Sequence, residues 1–252
     1  MDRNAGAGGR GGVPGELFEV ARGGVGIFGG TFNPIHIGHL RAAEEVAEDL
    51  ALAELRFVPA LHPPHKEGPA AAGIVPAEQR LAWIDLAIRG NPRFRADDRE
   101  IRRGGASYTV DTLRELAGEL GPARAVFVIG ADALSELDTW RSPDRVLALA
   151  HFAVMARPGA AGRIRDLRRL LPERLRGQFR FAPDGRSGAH RRAGTRIGIV
   201  EVTALDVSAS AIRARLRSGR SIRYLLPEAV RRAVVESGAY APAPARAAGE
   251  LR

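Results

Sequence analysis

The chain contains no cysteine and only one lysine, Lys66, among its 38 basic residues. The lack of cysteine excludes a disulfide framework and any metal site built from thiolates. No run of about 18 apolar residues exists, so the sequence predicts no membrane-spanning helix. The N-terminal residues lack the apolar core of a secretory signal. We therefore expect a cytoplasmic location and no membrane partner.

Aromatic residues are also few, at 6% of the chain, and this affects how its net charge of +9 is interpreted. A strongly basic chain raises the hypothesis of nucleic-acid binding. The arginines, however, are scattered among glutamates along predicted helices, with no ribbon of basic residues interleaved with aromatics. We expect no dedicated nucleic-acid partner, because phosphate-bearing small molecules explain the charge equally well.

The length of 252 residues fits one sizeable α/β domain with short appendages. The glycine-rich residues 1–22 are predicted to form a flexible N-terminal tail, and residues 241–252 a flexible C-terminal tail. The domain itself is predicted to span residues 23–240. Within it, residues 160–195 form a variable segment rich in arginine, with one helical piece. The sequence leaves the oligomeric state open.

Short apolar runs alternate with amphipathic helical patterns throughout the domain. Strands are predicted at 25–29, 54–60, 125–130, near the end of 145–159 and at 196–202, with a short one after residue 93. Helices are predicted at 38–52, 76–90, 107–121, early in 145–159 and twice near the C-terminus. This order predicts an α/β fold: a Rossmann-like, doubly wound parallel sheet with helices on both faces and a small C-terminal helical part. Ligands bind such sheets outside the carboxyl ends of the strands.

The first predicted strand runs directly into the sequence GGTFNPIHIGH, residues 29–39. Glycines after a strand let the backbone approach a ligand, and their N–H groups can face phosphate oxygens. His36 and His39 flank Gly38 at the start of the next helix, where the helix dipole favours anions. Two imidazoles at this spacing can hydrogen-bond one triphosphate together. Zinc binding and plain solvated histidines are the alternatives. For zinc, no cysteine or HExxH pattern supplies further ligands, so we predict no protein-bound metal.

Three later motifs also follow strands or open helices. Gly130 and Asp132 end a strand, where the carboxylate can accept from a ribose hydroxyl or cap the next helix. Ser208 or Ser210 can cap the helix that carries Arg213, whose guanidinium suits phosphate. In the loop that contains His65, the lone Lys66 indicates that a compact ammonium is needed there; an accidental surface lysine is the alternative.

These motifs, taken in order, resemble those of the HxGH nucleotidyltransferase superfamily and, within it, the family of bacterial nicotinate-nucleotide adenylyltransferases. The resemblance covers roughly residues 24–240 and includes PPHK (63–66), SYTVDTL (107–113), VIGADAL (128–134) and DVSASAIRARLRSG (206–219). It implies adenylyl transfer from ATP, accompanied by Mg²⁺, to nicotinate mononucleotide. The products would be nicotinate adenine dinucleotide and pyrophosphate, in NAD biosynthesis. Ala209 and Ser210 depart from the usual SSTxIR pattern, which leaves the role of a second hydroxyl in doubt.

The resemblance also implies roles for individual residues. The catalytic residues would be His36, His39 and Arg213. ATP would be bound by Gly29, Gly30, Thr31, Phe32, Gly38, Gly130, Asp132, Ser208 and Ser210. Nicotinate mononucleotide would be bound by His65, Lys66, Thr109 and Trp140. For Trp140 the implied role is stacking on the pyridine ring, and burial beneath residues 160–195 is the alternative.

Two rival hypotheses remain at this point. Phosphopantetheine adenylyltransferases share the strand and the HxGH start, but they are typically shorter and usually have threonine where His36 stands. They also lack the combination of SYTVDT and Trp140. A basic RNA-binding protein is a rival of a different class, and it rests on the net charge alone.

Overall fold

The computed structural model describes residues 14–63, 73–121, 124–156, 166–203 and 205–241. Within these ranges the strands are β1 Val25–Gly30, β2 Glu54–Pro59, β3 Phe94–Ala96, β4 Ala125–Gly130, β5 His151–Ala156, β6 Phe179–Phe181, β7 Ser187–His190 and β8 Arg196–Glu201. The helices are α1 Gly15–Ala21, α2 Ile37–Asp49, α3 Ala77–Ile88, α4 Arg99–Arg103, α5 Thr109–Leu120, α6 Ala131–Ser135, α7 Pro143–Leu149, α8 Leu167–Leu170, α9 Glu173–Arg176, α10 Ala209–Arg217 and α11 Glu228–Glu236. A 3₁₀ turn spans Leu137–Thr139. Among the described helices, none has the length and apolar character needed to cross a lipid bilayer.

All of these strands belong to one sheet with the order β3-β2-β1-β4-β5-β8-β7-β6. The strands from β3 to β8 in this order pair in parallel, and β7 and β6 continue the sheet antiparallel. The chain builds outward from β1 through β2 to β3 and then crosses back to β4 and β5. The point between β1 and β4 is therefore the topological switch point, where ligands of such folds bind.

Both faces of the sheet are covered by helices, as the sequence predicts. Successive side chains of a strand point to opposite faces, so Phe28 and Ile27 of β1 enter two different core clusters. Helices α2, α3, α10 and α11 contribute buried residues to the cluster that contains Phe28. Helices α5, α6 and α7 contribute to the cluster that contains Ile27. The predicted doubly wound α/β fold is confirmed.

The ends of the helices follow local sequence signals. Pro76 immediately precedes α3, and its fixed φ suits the entry to a helix. Helix α5 ends at Gly121, whose φ of +79° lies in the left-handed region that favours glycine. These signals explain why the predicted bounds of both helices lie within about two residues of the observed ones.

The structure differs from the sequence predictions at the N-terminal tail and in the arginine-rich segment. Residues 15–21 form α1 instead of continuing a flexible tail, because the apolar Leu17 is fully buried against β8. A Cβ atom on Gly198 of β8 would lie only 2.8 Å from the side chain of Leu17, so the glycine makes room for it. In the arginine-rich segment, β6 and β7 extend the sheet beside the predicted helical part. Residues 1–13, 157–165 and 242–252 lie outside the described residues.

Candidate active site

Two cavities open at the carboxyl edge of the sheet, one on each side of β1. The first, of about 320 Å³, is lined by His36 and His39 together with residues that follow β4 and β8. The second, of about 180 Å³, is lined by the loop after β1, the end of β2, the start of α5 and Trp140. Because Phe28 faces the first cavity and Ile27 the second, the two lie on opposite faces of the sheet. The glycine loop after β1 separates them.

His36 and His39 form a reciprocal cap at the start of α2. The backbone N–H of His39 donates to the carbonyl of His36, the N-cap residue, at 3.0 Å and faces the ring of His36, while Nδ1 of His39 accepts from the backbone N–H of His36 at 3.3 Å. The two rings stack with their centroids 3.7 Å apart. Because Nδ1 of His39 accepts, a neutral ring carries its proton on Nε2, where it can donate to a ligand. The structure thus brings both predicted histidines to the first cavity and fixes how His39 can donate.

Gly38 and Phe32 support this pair from two sides. A Cβ atom on Gly38 would lie 3.1 Å from Nδ1 of His36, so a side chain there would crowd the stacked rings. Phe32 is 2% exposed and contacts the ring of His39 edge-on, with centroids 5.2 Å apart. Gly38 lines the first cavity as predicted. Phe32 lines neither cavity and supports His39 from the core, so its position does not favour the predicted direct contact with ATP.

Gly130 and Asp132 follow β4 at the switch point, and both line the first cavity. The N-cap of α6 is Gly130, so the interpretation of Asp132 as that cap is wrong. A Cβ atom on Gly130 would meet nothing within 4 Å, because the residue faces open space. Contact of the exposed Asp132 carboxylate with a ribose hydroxyl remains a prediction.

Helix α10 begins beside the same cavity. Ser208 is its N-cap and accepts from the backbone N–H of Ala211 at 3.2 Å, as the sequence predicts. The Oγ of Ser210 lies 3.1 Å from that of Ser208, so the second hydroxyl supports the cap and is not among the lining residues. Arg213 lies one turn beyond the start of the helix, and its Nη1 donates to the backbone carbonyl of Asn33 at 2.7 Å. This bond uses one of the five N–H donors of the guanidinium.

The second cavity collects the residues predicted to bind the other substrate. Trp140 is half-buried, lines this cavity and contacts Phe127 edge-on at 6.3 Å. Thr109, the first residue of α5, lines it too, and so does Ser107, whose hydroxyl accepts from the backbone N–H of Leu61. Gly29, Gly30 and Thr31 also line the second cavity and are not among the residues that line the first. His65 and Lys66 lie outside the described residues.

Four buried polar residues around the cavities were not predicted as site residues. These are Asn33, Arg80, Glu100 and Tyr240. Glu100 lines the second cavity, accepts from the hydroxyl of Thr112 and lies 4.0 Å from Arg103. Burial raises the pKa of the Tyr240 hydroxyl far above its usual range and lowers the pKa of the Arg80 guanidinium. One signal was present in the sequence: Arg80 occupies a position that the helical period of α3 assigns to the core.

This arrangement can hold two phosphate-bearing ligands close together. Imidazole donors and the capped N-terminus of α10 border the first cavity, so it suits a polyphosphate. Arg213 lies further along the same helix and is not among the residues that line the cavity. An aromatic ring and a helix N-terminus border the second, so it suits a planar ring with a negatively charged group. Because the glycine loop separates them, a reaction between the two ligands would take place beside that loop.

Comparisons with known proteins give concordant results. Residues 27–215 match the family model described as cytidylyltransferase-like. A protein of Halorhodospira halophila, named as a probable nicotinate-nucleotide adenylyltransferase, is 45% identical over 218 residues, which cover 86% of this chain and 94% of that protein. A protein of Rubrobacter xylanophilus with the same name is 42% identical over 229 residues, which cover 90% of this chain and 96% of that protein.

Solved structures share the fold. The Plasmodium falciparum nicotinic acid mononucleotide adenylyltransferase complexed with NaAD superposes with a TM-score of 0.63 at 14% identity, covering 86% of this chain and 96% of that one. The structure of the same protein complexed with APC gives a TM-score of 0.59 at 13% identity, with the same coverage. At this identity the likeness concerns the fold alone.

Proposed function

The chain belongs to the cytidylyltransferase-like family and, within it, to the nicotinate-nucleotide adenylyltransferases, and we propose that it transfers the adenylyl group of ATP to nicotinate mononucleotide. The products are nicotinate adenine dinucleotide and pyrophosphate, and the reaction belongs to NAD biosynthesis. The observation that carries the proposal is the pair of cavities on either side of β1. The first cavity presents paired imidazoles, which suit a triphosphate. The second presents a tryptophan, which suits the ring of a pyridine nucleotide.

The reaction is an in-line displacement at phosphorus. A phosphate oxygen of nicotinate mononucleotide attacks the α-phosphorus of ATP, and the bond from that phosphorus to the oxygen bridging to the β-phosphorus breaks. Pyrophosphate leaves with the bonding electrons. Such a step needs positioning and stabilisation of negative charge, and it needs no covalent enzyme intermediate.

The first cavity supplies that stabilisation. His39 donates from Nε2 to a phosphate oxygen, and His36 is held against it by the shared cap. The N-terminus of α10, capped by Ser208, and the guanidinium of Arg213 bind the departing phosphates. Gly130 leaves open space for the nucleoside, and Asp132 accepts from its ribose.

Mg²⁺ enters as part of the ATP substrate. Among the described residues, no group of three or more carboxylates or imidazoles is arranged to hold a metal ion. We assign its ligands mostly to phosphate oxygens and water, because Mg²⁺ bound with a nucleotide keeps several waters and binds the substrate phosphates. The ion neutralises phosphate charge in the substrate.

The second cavity receives the acceptor. Trp140 stacks on the pyridine ring of nicotinate mononucleotide. The backbone N–H groups at the start of α5, near Thr109, donate to the carboxylate on that ring. The loop of Gly29, Gly30 and Thr31 approaches the acceptor phosphate. His65 and Lys66 complete the binding of that phosphate in this proposal.

Pyrophosphate release measured across a panel of acceptors tests the proposal directly. Nicotinate mononucleotide should be turned over with ATP, and mass spectrometry should detect nicotinate adenine dinucleotide. Phosphopantetheine should give no product. Turnover of phosphopantetheine without turnover of nicotinate mononucleotide would assign the chain to the rival adenylyltransferase.

A further inference from the structure

A buried polar network lies behind the loop that joins β1 to α2. Its central members, Arg80, Asn33 and Tyr240, are at most 4% exposed, and none of the three is among the residues that line either cavity. All three hydrogen-bond to groups that do line a cavity or that hold a predicted catalytic residue. The network therefore joins the two halves of the site from the core side.

Arg80 fixes two walls of the second cavity with one planar group. Its Nη1 donates to the backbone carbonyl of Thr31 at 2.7 Å, and its Nη2 donates to that of Ala60 at 2.6 Å. Thr31 follows β1 and Ala60 follows β2, and both line the second cavity. Its Nε donates to the carbonyl of Val75 at 3.0 Å, next to α3. Because the guanidinium is rigid and fork-shaped, it sets the separation of the two loops in a way that an ammonium cannot.

Tyr240 acts on the other half of the site through Asn33. Its hydroxyl donates to Oδ1 of Asn33, and its ring packs 6.0 Å from that of Trp83. Oδ1 of Asn33 also accepts from the backbone N–H of Val75 at 3.2 Å. With its side chain held, Asn33 presents its backbone carbonyl to Arg213 at 2.7 Å. A hydroxyl that follows α11 thus orients the guanidinium assigned to the triphosphate.

We propose that Arg80 and Tyr240 are positioning residues for different substrates of the reaction. Arg80 holds the cavity for the acceptor, and Tyr240, through Asn33, holds Arg213 for ATP. The inference rests on the proposed function. Misplacement of a catalytic group by about 1 Å can cost on the order of 10²-fold in rate, so groups that only fix geometry can control turnover.

The variant Tyr240→Phe tests the ATP side, because it keeps the ring packing against Trp83 and removes one donor. We expect kcat/KM for ATP to fall by about tenfold, with KM for nicotinate mononucleotide within about twofold of wild type. Tyr224→Phe is the matched control, since Tyr224 is 86% exposed, and it should behave as wild type. The loss caused by Arg213→Lys should be smaller in the Tyr240→Phe background than in wild type, because both changes act on one contact.

Arg80→Lys tests the acceptor side, because it keeps the charge and removes the fork. We expect KM for nicotinate mononucleotide to rise by about tenfold or more, with KM for ATP within about twofold of wild type. Arg89→Lys, an exposed change at the end of the same helix, is the control. If Arg80→Lys does not fold, Arg80→Gln is measured instead, with the same expectation.

Two results would overturn the inference: wild-type kinetics in the variants, or equal effects on both substrates in each. Binding of ATP and of pyrophosphate, measured by titration calorimetry, gives a readout that does not depend on the acceptor. Weakened ATP binding in Tyr240→Phe would support the Tyr240 half even if the wild-type enzyme did not use nicotinate mononucleotide. Lack of turnover of nicotinate mononucleotide by the wild-type enzyme would refute the proposed function without refuting the Tyr240 half of the inference.

Discussion

In the proposed function, single residues in the HxGH segment serve the fold and the ligand at once. Nδ1 of His39 caps α2, which leaves Nε2 for a phosphate, and Gly38 keeps the space that the ring of His36 occupies. The sequence spacing was enough to predict that both histidines reach one cavity. The ring stacking and the reciprocal cap could not be predicted, because they depend on the extended backbone of His36.

The variant His39→Ala should lower kcat by about 10²-fold or more, the usual effect of removing one donor to developing charge. It should also reduce the free energy of unfolding by about 1 kcal/mol, because the cap is lost. His39→Asn separates the two effects, since its amide oxygen can restore the cap without replacing the imidazole. Steady-state kinetics and urea unfolding of both variants check this, and near-normal turnover of His39→Ala would refute the assignment.

Gly130→Leu should raise KM for ATP by about tenfold or more without lowering the melting temperature. The backbone there has φ −73° and ψ 150°, which any residue adopts, and a Cβ atom meets nothing within 4 Å. The added side chain would therefore occupy space meant for the nucleotide. Gly177→Leu is the control, because Gly177 is equally open and also has negative φ. Unchanged KM for ATP would show that the nucleotide does not approach Gly130.

At the scale of helices and strands, the sequence predicted elements well where one signal dominated. The buried runs of β1 and β4, and the Pro and Gly that flank α3 and α5, placed those elements nearly where they lie. Helix α1 was missed because the glycine-rich composition around it outweighed a single buried leucine, Leu17. Strands β6 and β7 were missed because they are only three and four residues long, too short to show a clear periodic pattern.

The start of α5 offers a test of how the acceptor carboxylate is bound. Thr109 is the first helical residue, a position that tolerates proline, so Thr109→Pro should keep the helix and remove one N–H donor. We expect the preference for nicotinate mononucleotide over the nicotinamide form to fall by about tenfold, with an unchanged melting temperature. Thr109→Ser, which keeps the N–H, is the control. A preference unchanged in the proline variant would exclude this donor.

The whole molecule places its chemistry where a parallel sheet reverses its order, and this could be inferred from the alternation of strands and helices. The contacts that complete the site could not be inferred from the sequence. Asn33 bonds to Arg213 and to Tyr240 across 180 and 207 residues of sequence, and no local pattern specifies such pairs. The chain-wide charge of +9 attracts every phosphate-bearing substrate and does not choose among them.

The choice between acid and amide therefore depends on the local charges of the second cavity. The donors at the start of α5 favour the carboxylate, and the amide NH₂ would face them unpaired. We predict a preference for nicotinate mononucleotide of at least about 10²-fold in kcat/KM, or about 2.7 kcal/mol. Glu100 lines the same cavity and opposes that preference, because it repels a carboxylate and can accept from an amide.

Glu100→Gln should consequently raise the ratio of kcat/KM for the acid to kcat/KM for the amide. The amide oxygen of the new glutamine can still accept from Thr112 and preserve the packing of α4 on α5. Trp140→Ala should weaken both acceptors alike, since stacking does not distinguish the two groups. Competition kinetics with both mononucleotides measures each ratio, at two ionic strengths to separate the chain-wide charge from the local contacts. Equal use of acid and amide by the wild-type enzyme would refute the assignment of the start of α5 as the carboxylate site. An unchanged ratio of the two kcat/KM values in Glu100→Gln would show that Glu100 does not affect substrate preference.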